Sequence, residues 1–131
     1  MNITEDYCSY EVAKLLKEKG FNEPIRCWYD NFQDFHEEGV RMSNTDCLPP
    51  TIMCPTHQMV MKWLREEKNI LIYVYPVINL PVKDDYTLFH WRWDGKKKIH
   101  SAPHFGDKHH NYESYEEAVE AAIKSCLENL I

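Results

Sequence analysis

Hydrophobic and polar positions are most clearly patterned between Cys54 and Pro76, where a helical period changes directly into a strand. Asn69 suits the left-handed conformation that ends a helix, and Ile70 to Tyr75 then forms an unbroken run of β-branched and aromatic residues. Both faces of this run are apolar, which predicts a strand covered on both sides. The helix before it should begin near Cys54, with Pro55 in the first turn. Its apolar stripe consists of Met59, Val60, Trp63 and Leu64.

Two further helices are predicted at the ends of the chain. Ser9 can cap the first, SYEVAKLLKEKG, and Gly20 followed by Phe21 predicts a Schellman ending. Ser114 and Glu117 form a capping box that opens the last helix, SYEEAVEAAIKSCLENLI. The alanines of that helix favour close packing on a sheet.

The remaining strands are less regular. Residues Ile25 to Tyr29 have strand composition, and Tyr86 to Trp93 alternates with the period of a half-buried strand. Asp94-Gly95 indicates a hairpin, for which we expect a three-residue loop and a returning strand KKKIHS. Between these elements, residues 30–53 form a long irregular excursion that is a candidate binding loop.

This order of elements predicts an α+β fold: a mostly antiparallel sheet of about four strands, with three helices packed largely on one face. With 131 residues, the chain is long enough for one hydrophobic core, so we expect a single domain over 1–131. The indole-rich hairpin is interpreted as part of that core, with Trp91 and Trp93 covered by helices.

Composition narrows the class of protein. The formal charge is -6, from 21 acidic and 15 basic residues, which disfavours a surface built to neutralise phosphates. The five cysteines form no CxxC pair, so we expect reduced thiols. Neither a signal sequence nor a membrane-length apolar run is present, which predicts a soluble, cytoplasmic protein that does not bind membranes.

Candidate chemistry is sparse, and no cofactor or metal site is predicted. Cys54 could be favoured as a thiolate at a helix N-terminus, with His57 one turn away, but no orienting partner for His57 is evident. Neutral imidazoles bind zinc, nickel and copper, and five histidines are close in sequence, yet their spacing matches no metal motif. Whether these histidines bind a metal and whether Cys54 is reactive both stay open. The five are His90, His100, His104, His109 and His110.

A second group of residues could form a binding surface on the hairpin. Aromatic rings stack on bases and lysines contact phosphates, so the 86–101 hairpin could bind nucleic acid. The simpler interpretation is that the rings of this region fill the core. The candidate binding residues are Arg92, Lys96, Lys97, Lys98 and His100.

Three stretches carry a resemblance to a known family: KLLKEKGF with the nearby WY, CPTHQMVMKWLRE, and YEEAVEAAIKSCLENLI. They resemble a family of small proteins of gut Bacteroidales, many of them in mobile or prophage-like regions, with no established function. The resemblance implies a bacterial, cytoplasmic protein of a mobile element. It brings no catalytic or binding residues.

Three functions are therefore compared. The leading hypothesis is a non-enzymatic protein-interaction module whose partner is another protein, because the helices and turns are well signalled and no catalytic constellation is present. The alternative is a nucleic-acid-binding domain that uses the 86–101 hairpin and its lysines. The third is a small enzyme that uses the histidine-rich loop or Cys54 with His57.

Overall fold

The computed structural model describes residues 3–37, 39–78, 87–95, 99–101, 112–129 and 131. Within these residues, three helices and six strands follow one another in the order αβββαβββα. The helices are α1 (Tyr10–Glu18), α2 (His57–Glu67) and α3 (Tyr115–Asn129). The strands are β1 (Trp28–Tyr29), β2 (Phe35–His36), β3 (Ile52–Met53), β4 (Leu71–Ile78), β5 (Thr87–Asp94) and β6 (Ile99–Ser101). The fold class is α+β, as predicted.

The described strands form two antiparallel sheets, so the expected single sheet of about four strands is not observed. The first sheet has the order β2-β1-β3 and the second β4-β5-β6. The first sheet arises because the 30–53 segment folds back on β1 from both sides. At its start Asp30 accepts hydrogen bonds from the amides of Phe32 and Asp34, which closes a tight turn before β2. The irregular excursion therefore supplies two short strands.

Helix ends mostly match the sequence signals. Ser9 caps α1 by accepting from Val12 N–H, and the amide of Phe21 bonds to the carbonyl of Leu16 beyond a left-handed Gly20, as a Schellman ending requires. Helix α2 differs: its cap is Thr56, whose hydroxyl accepts from Met59 N–H, so Pro55 lies before the helix instead of in its first turn.

The second sheet has one covered face and one open face. Helix α3 packs on β4 and β5, and α2 packs on β4. Trp91 and Trp93 lie on the covered face, and the Trp93 indole donates to Ser125 Oγ at 3.2 Å. The expectation that these two tryptophans belong to the core is confirmed. Other large buried side chains are Leu16, Phe21, Met53, Leu64, Ile123 and Leu127.

Two expectations about β4 to β6 are wrong. Strand β4 is not covered on both sides, because Leu71, Tyr73 and Tyr75 are all more than 40% exposed. The hairpin register pairs Asp94 with Ile99, so residues 95–98 separate β5 from β6, one more than the three-residue loop expected. An aromatic composition signals a strand but does not distinguish tyrosines on an open face from those in a core.

Candidate functional site

The open face of the second sheet is the first candidate site. Cross-strand pairing places Tyr73 opposite Arg92 and Tyr75 opposite His90. The two tyrosines are 45% and 42% exposed. We use the term open face for Leu71, Tyr73, Tyr75, His90, Arg92 and Asp94. A groove of about 580 Å³ is lined by open-face residues that include Tyr73, Tyr75 and Arg92, and also by Ile72, Val74 and Tyr115 of α3.

The outer edge of β4 belongs to the same site. Phe89 directs both its N–H and its C=O to Tyr112, on the side of β5 away from β4. Its partner across the strands, Pro76, must therefore direct its backbone away from β5. Because backbone direction alternates along a strand, Ile72 and Val74 also present N–H and C=O outward. In the described part of the chain, β4 pairs with β5 and with no other strand.

Arg92 and Asp94, two charged residues of the open face, pair with each other. Arg92 donates two hydrogen bonds to Asp94, at 2.7 and 2.8 Å, and its guanidinium lies 5.8 Å from the centre of the Tyr73 ring. The bonds to Asp94 raise the pKa of Arg92. This arrangement orients the Tyr73 ring and leaves less of the guanidinium charge for a phosphate.

Of the predicted binding residues, the structure places Arg92 on the open face. His100 pairs with Trp93 through the backbone of β6, while Lys96, Lys97 and Lys98 lie outside the described residues. Of the five clustered histidines, His90 lies on the open face, and His104, His109 and His110 are outside the described residues.

A second candidate site lies where α1, α2 and α3 meet. Cys8 precedes the cap of α1, His57 is the first residue of α2, and Glu120 lies within α3. His57 Nε2 and Glu120 Oε2 share a hydrogen bond of 2.6 Å. The sulfur, a ring nitrogen and a carboxylate oxygen of these residues all lie within 4.8 Å of one another. We call these three residues the thiol cluster.

The protonation of the thiol cluster follows from its surroundings. Burial, and then the negative charge of Glu120, raises the pKa of the Cys8 thiol well above its ordinary value. Burial alone would also raise the pKa of Glu120, but hydrogen bonds from His57 and Ser9 outweigh it and the pKa is lowered. The cluster is thus a neutral thiol beside an ionised carboxylate that holds an imidazole.

This geometry changes the predicted pairing of Cys54 with His57. The orienting partner of His57 is Glu120, and the thiol of the cluster is that of Cys8. Cys54 instead donates its thiol to the carbonyl of Cys8 at 3.2 Å, and burial raises its pKa to about 12. A thiol that keeps its proton at neutral pH is a poor nucleophile.

Comparison with known proteins finds no matching family model, no similar curated protein and no similar solved structure. The resemblance to the Bacteroidales proteins therefore stays a prediction. Among the helices that the structure describes, none has both the length and the apolar character needed to cross a membrane.

Sequence reasoning missed Cys8 and Glu120. They are separated by 111 residues, and neither lies in a motif, so only the packing of α1 against α3 brings them together. The outward edge of β4 was also missed. Pro76 is the one local signal for it, because proline within a strand is confined to edges and bulges.

Proposed function

We propose that this protein is a non-enzymatic protein-interaction module that binds an extended segment of a partner protein along the edge of β4. The observation that carries the proposal is the outward direction of the backbone at Ile72 and Val74, next to the exposed rings of Tyr73 and Tyr75. An added strand gains affinity from main-chain hydrogen bonds and specificity from alternate side chains.

The edge defines the partner's chemistry. Ile72 and Val74 each offer one N–H donor, whereas Pro76 offers a carbonyl acceptor and no donor. Side chains of an added strand alternate in direction, so every second one would lie beside Tyr73 and Tyr75 on the open face. Tyrosine supplies large contact area at low conformational cost, which favours apolar or aromatic partner residues at those positions.

Nucleic-acid binding through the 86–101 hairpin is the alternative proposal, and the described residues favour it less. Trp91 and Trp93 are 4% and 0% exposed, so neither ring is available for base stacking. Arg92 already holds Asp94 in a two-bond ion pair.

A displayed library of random peptides, selected on the wild-type protein, provides the test. We expect the selected peptides to lose binding at least about tenfold in the Tyr73→Ala, Tyr75→Ala double variant, equivalent to about 1.4 kcal/mol. Amide hydrogen exchange at Ile72 and Val74 should slow when peptide binds. Phe32→Ala is the matched control, because Phe32 is an exposed aromatic residue in the turn that follows β1.

Val74→Pro tests the edge itself. It removes an outward donor but no hydrogen bond to β5, so the protein should fold, as circular dichroism can verify, and should not bind peptide. Peptides that bind this variant and the double variant as well as they bind wild type would overturn the proposal. Salt-sensitive oligonucleotide binding at about 50 mM salt, without any peptide binding, would replace it with the alternative.

A further inference from the structure

We propose that the thiol cluster is a zinc site in which Cys8, His57 and Glu120 are the protein ligands. The site is independent of the β4 edge, because its residues lie where the three helices meet. A thiolate, an imidazole and a carboxylate are the donors that Zn²⁺ takes in proteins, and three protein ligands with one open position are typical of non-structural zinc sites.

Charge balance supports this assignment. A thiolate and a carboxylate carry two negative charges, which Zn²⁺ would neutralise at a site where Cys8 is fully buried and His57 is 8% exposed. Without an ion, burial and then the negative charge of Glu120 raise the pKa of the Cys8 thiol, so the thiol keeps its proton. Binding therefore forms a zinc–sulfur bond and releases the thiol proton to solvent.

The movement required of the His57–Glu120 pair is small. Zinc bonds to nitrogen and oxygen are about 2.0–2.1 Å, which in a tetrahedral site separates the two ligand atoms by about 3.3 Å. His57 Nε2 and Glu120 Oε2 are now 2.6 Å apart, with a proton between them. An ion that replaces this proton would widen the pair by about 0.7 Å, which rotation of the Glu120 side chain can supply.

Hydrogen bonds outside the cluster hold its ligands in position. Ser9 N–H donates to Glu120 Oε1 at 2.9 Å, which leaves Oε2 for the site. The backbone N–H of Cys8 bonds to Pro55, and that of His57 bonds to Asp6. Such outer contacts orient the ligands of metal sites and contribute to affinity.

A cleft gives an ion access to the cluster. It has a volume of about 570 Å³ and is lined by all three cluster residues. Three exposed carboxylates and one lysine also line it: Glu11 is paired with Lys124 at 2.8 Å, which leaves Glu116 and Glu117 as the carboxylates that would attract divalent cations. The fourth zinc position, facing this cleft, would be open to water or to a small anionic ligand.

Cobalt(II) provides the test, because it occupies zinc sites and gives a near-ultraviolet thiolate-to-metal absorption band. We expect metal-free, reduced wild-type protein to bind one equivalent of Co²⁺ with this band, and equimolar Zn²⁺ to abolish it. The band should disappear in Cys8→Ser. It should persist in Cys54→Ser, the matched control, because Cys54 is a neighbouring buried thiol outside the cluster.

The wild-type measurement alone is decisive if Cys8→Ser fails to fold. Absence of a thiolate band in folded wild-type protein would overturn the proposal. Cobalt binding without the band would likewise overturn the proposal. It would assign the ion to nitrogen and oxygen donors, such as the clustered histidines His90, His100, His104, His109 and His110. Persistence of the band in a folded Cys8→Ser variant would also overturn the proposal, because the thiolate ligand would then be a different cysteine.

Discussion

Glu120 of α3 forms hydrogen bonds to the start of α1 and to the start of α2. From within α3, one carboxylate oxygen accepts from Ser9 N–H at the start of α1, and the other accepts from His57 at the start of α2. His57 is 8% exposed, so its ring depends on Glu120 instead of water for this hydrogen bond. A charge-assisted bond in such a location is worth more than an exposed one.

Glu120→Ala should therefore lower the free energy of unfolding by about 1.5–3 kcal/mol, because it removes both bonds and leaves a buried imidazole with an unmet donor. Urea unfolding at pH 7 in the presence of a chelator measures this loss. Glu66→Ala, at an exposed position of α2, should change it by less than about 0.5 kcal/mol. Equal effects of the two substitutions would contradict the role assigned to Glu120.

Cys126 should make the free energy of unfolding decrease at alkaline pH. Burial raises the pKa of its thiol to about 12, whereas the pKa of a thiol in the unfolded chain is about 8.5. Between these values only the unfolded chain gives up the proton. The contribution of Cys126 to the free energy of unfolding is therefore fully present below about pH 8.5 and is lost as pH rises. The urea midpoint should decline less from about pH 8 to about pH 10 in Cys126→Ala than in wild type. The same decline in both proteins would show that Cys126 does not contribute.

At the scale of elements, the helices were predictable and the first sheet was not. Local side chains fix the helix ends, as Ser9 and Gly20 do for α1, and these signals are readable in the sequence. Strands β1, β2 and β3 have two residues each, too few for a period to appear. Their pairing depends on the turn at Asp30 and on tertiary contacts.

The candidate sites also differ in whether local sequence signals or only tertiary contacts reveal them. Arg92 and His57 were identifiable because a hairpin signal and a helix start lie beside them. The thiol cluster was not, since its members lie just before α1, at the start of α2 and within α3, and meet only in the folded chain. Alternation along β4 is visible in the sequence and Pro76 is a local signal of an edge, but the pairing of Phe89 with Tyr112 is what establishes which backbone groups face outward.

Thr56 controls where α2 begins. Its hydroxyl accepts from Met59 N–H, so Thr56→Ala should cost about 1 kcal/mol of unfolding free energy. Thr56→Ser retains the acceptor and should cost much less. Urea unfolding of both variants provides the measurement. A full loss in Thr56→Ser would indicate that the methyl group, and not the cap, is what matters.

At the scale of the whole molecule, one hydrophobic cluster joins the two sheets. It contains Ile25 and Met53 from the region of the first sheet and Trp91 and Trp93 from the second. Helix α1 packs on both β3 and α3, and α3 packs on the second sheet. Neither sheet has a separate core in the described part of the chain.

Unfolding should therefore be a single cooperative transition, as the expectation of one domain requires. Tryptophan fluorescence reports on both sheets, because Trp28 lies in the first sheet and Trp91 and Trp93 lie in the second. Since the two sheets share one core, the urea midpoints from fluorescence and from far-ultraviolet circular dichroism should coincide. Two separate midpoints would mean that the sheets unfold independently.

Pro76 has a consequence for solubility. An eight-residue edge strand with exposed apolar side chains is a template on which copies of the same chain can aggregate, and proline interrupts such a template. Pro76→Val would restore a continuous row of outward donors. We expect this variant to scatter light and form fibrils on storage at concentrations where wild type stays clear. Pro76, which would limit the length of the proposed partner's strand, would then also keep the protein dispersed.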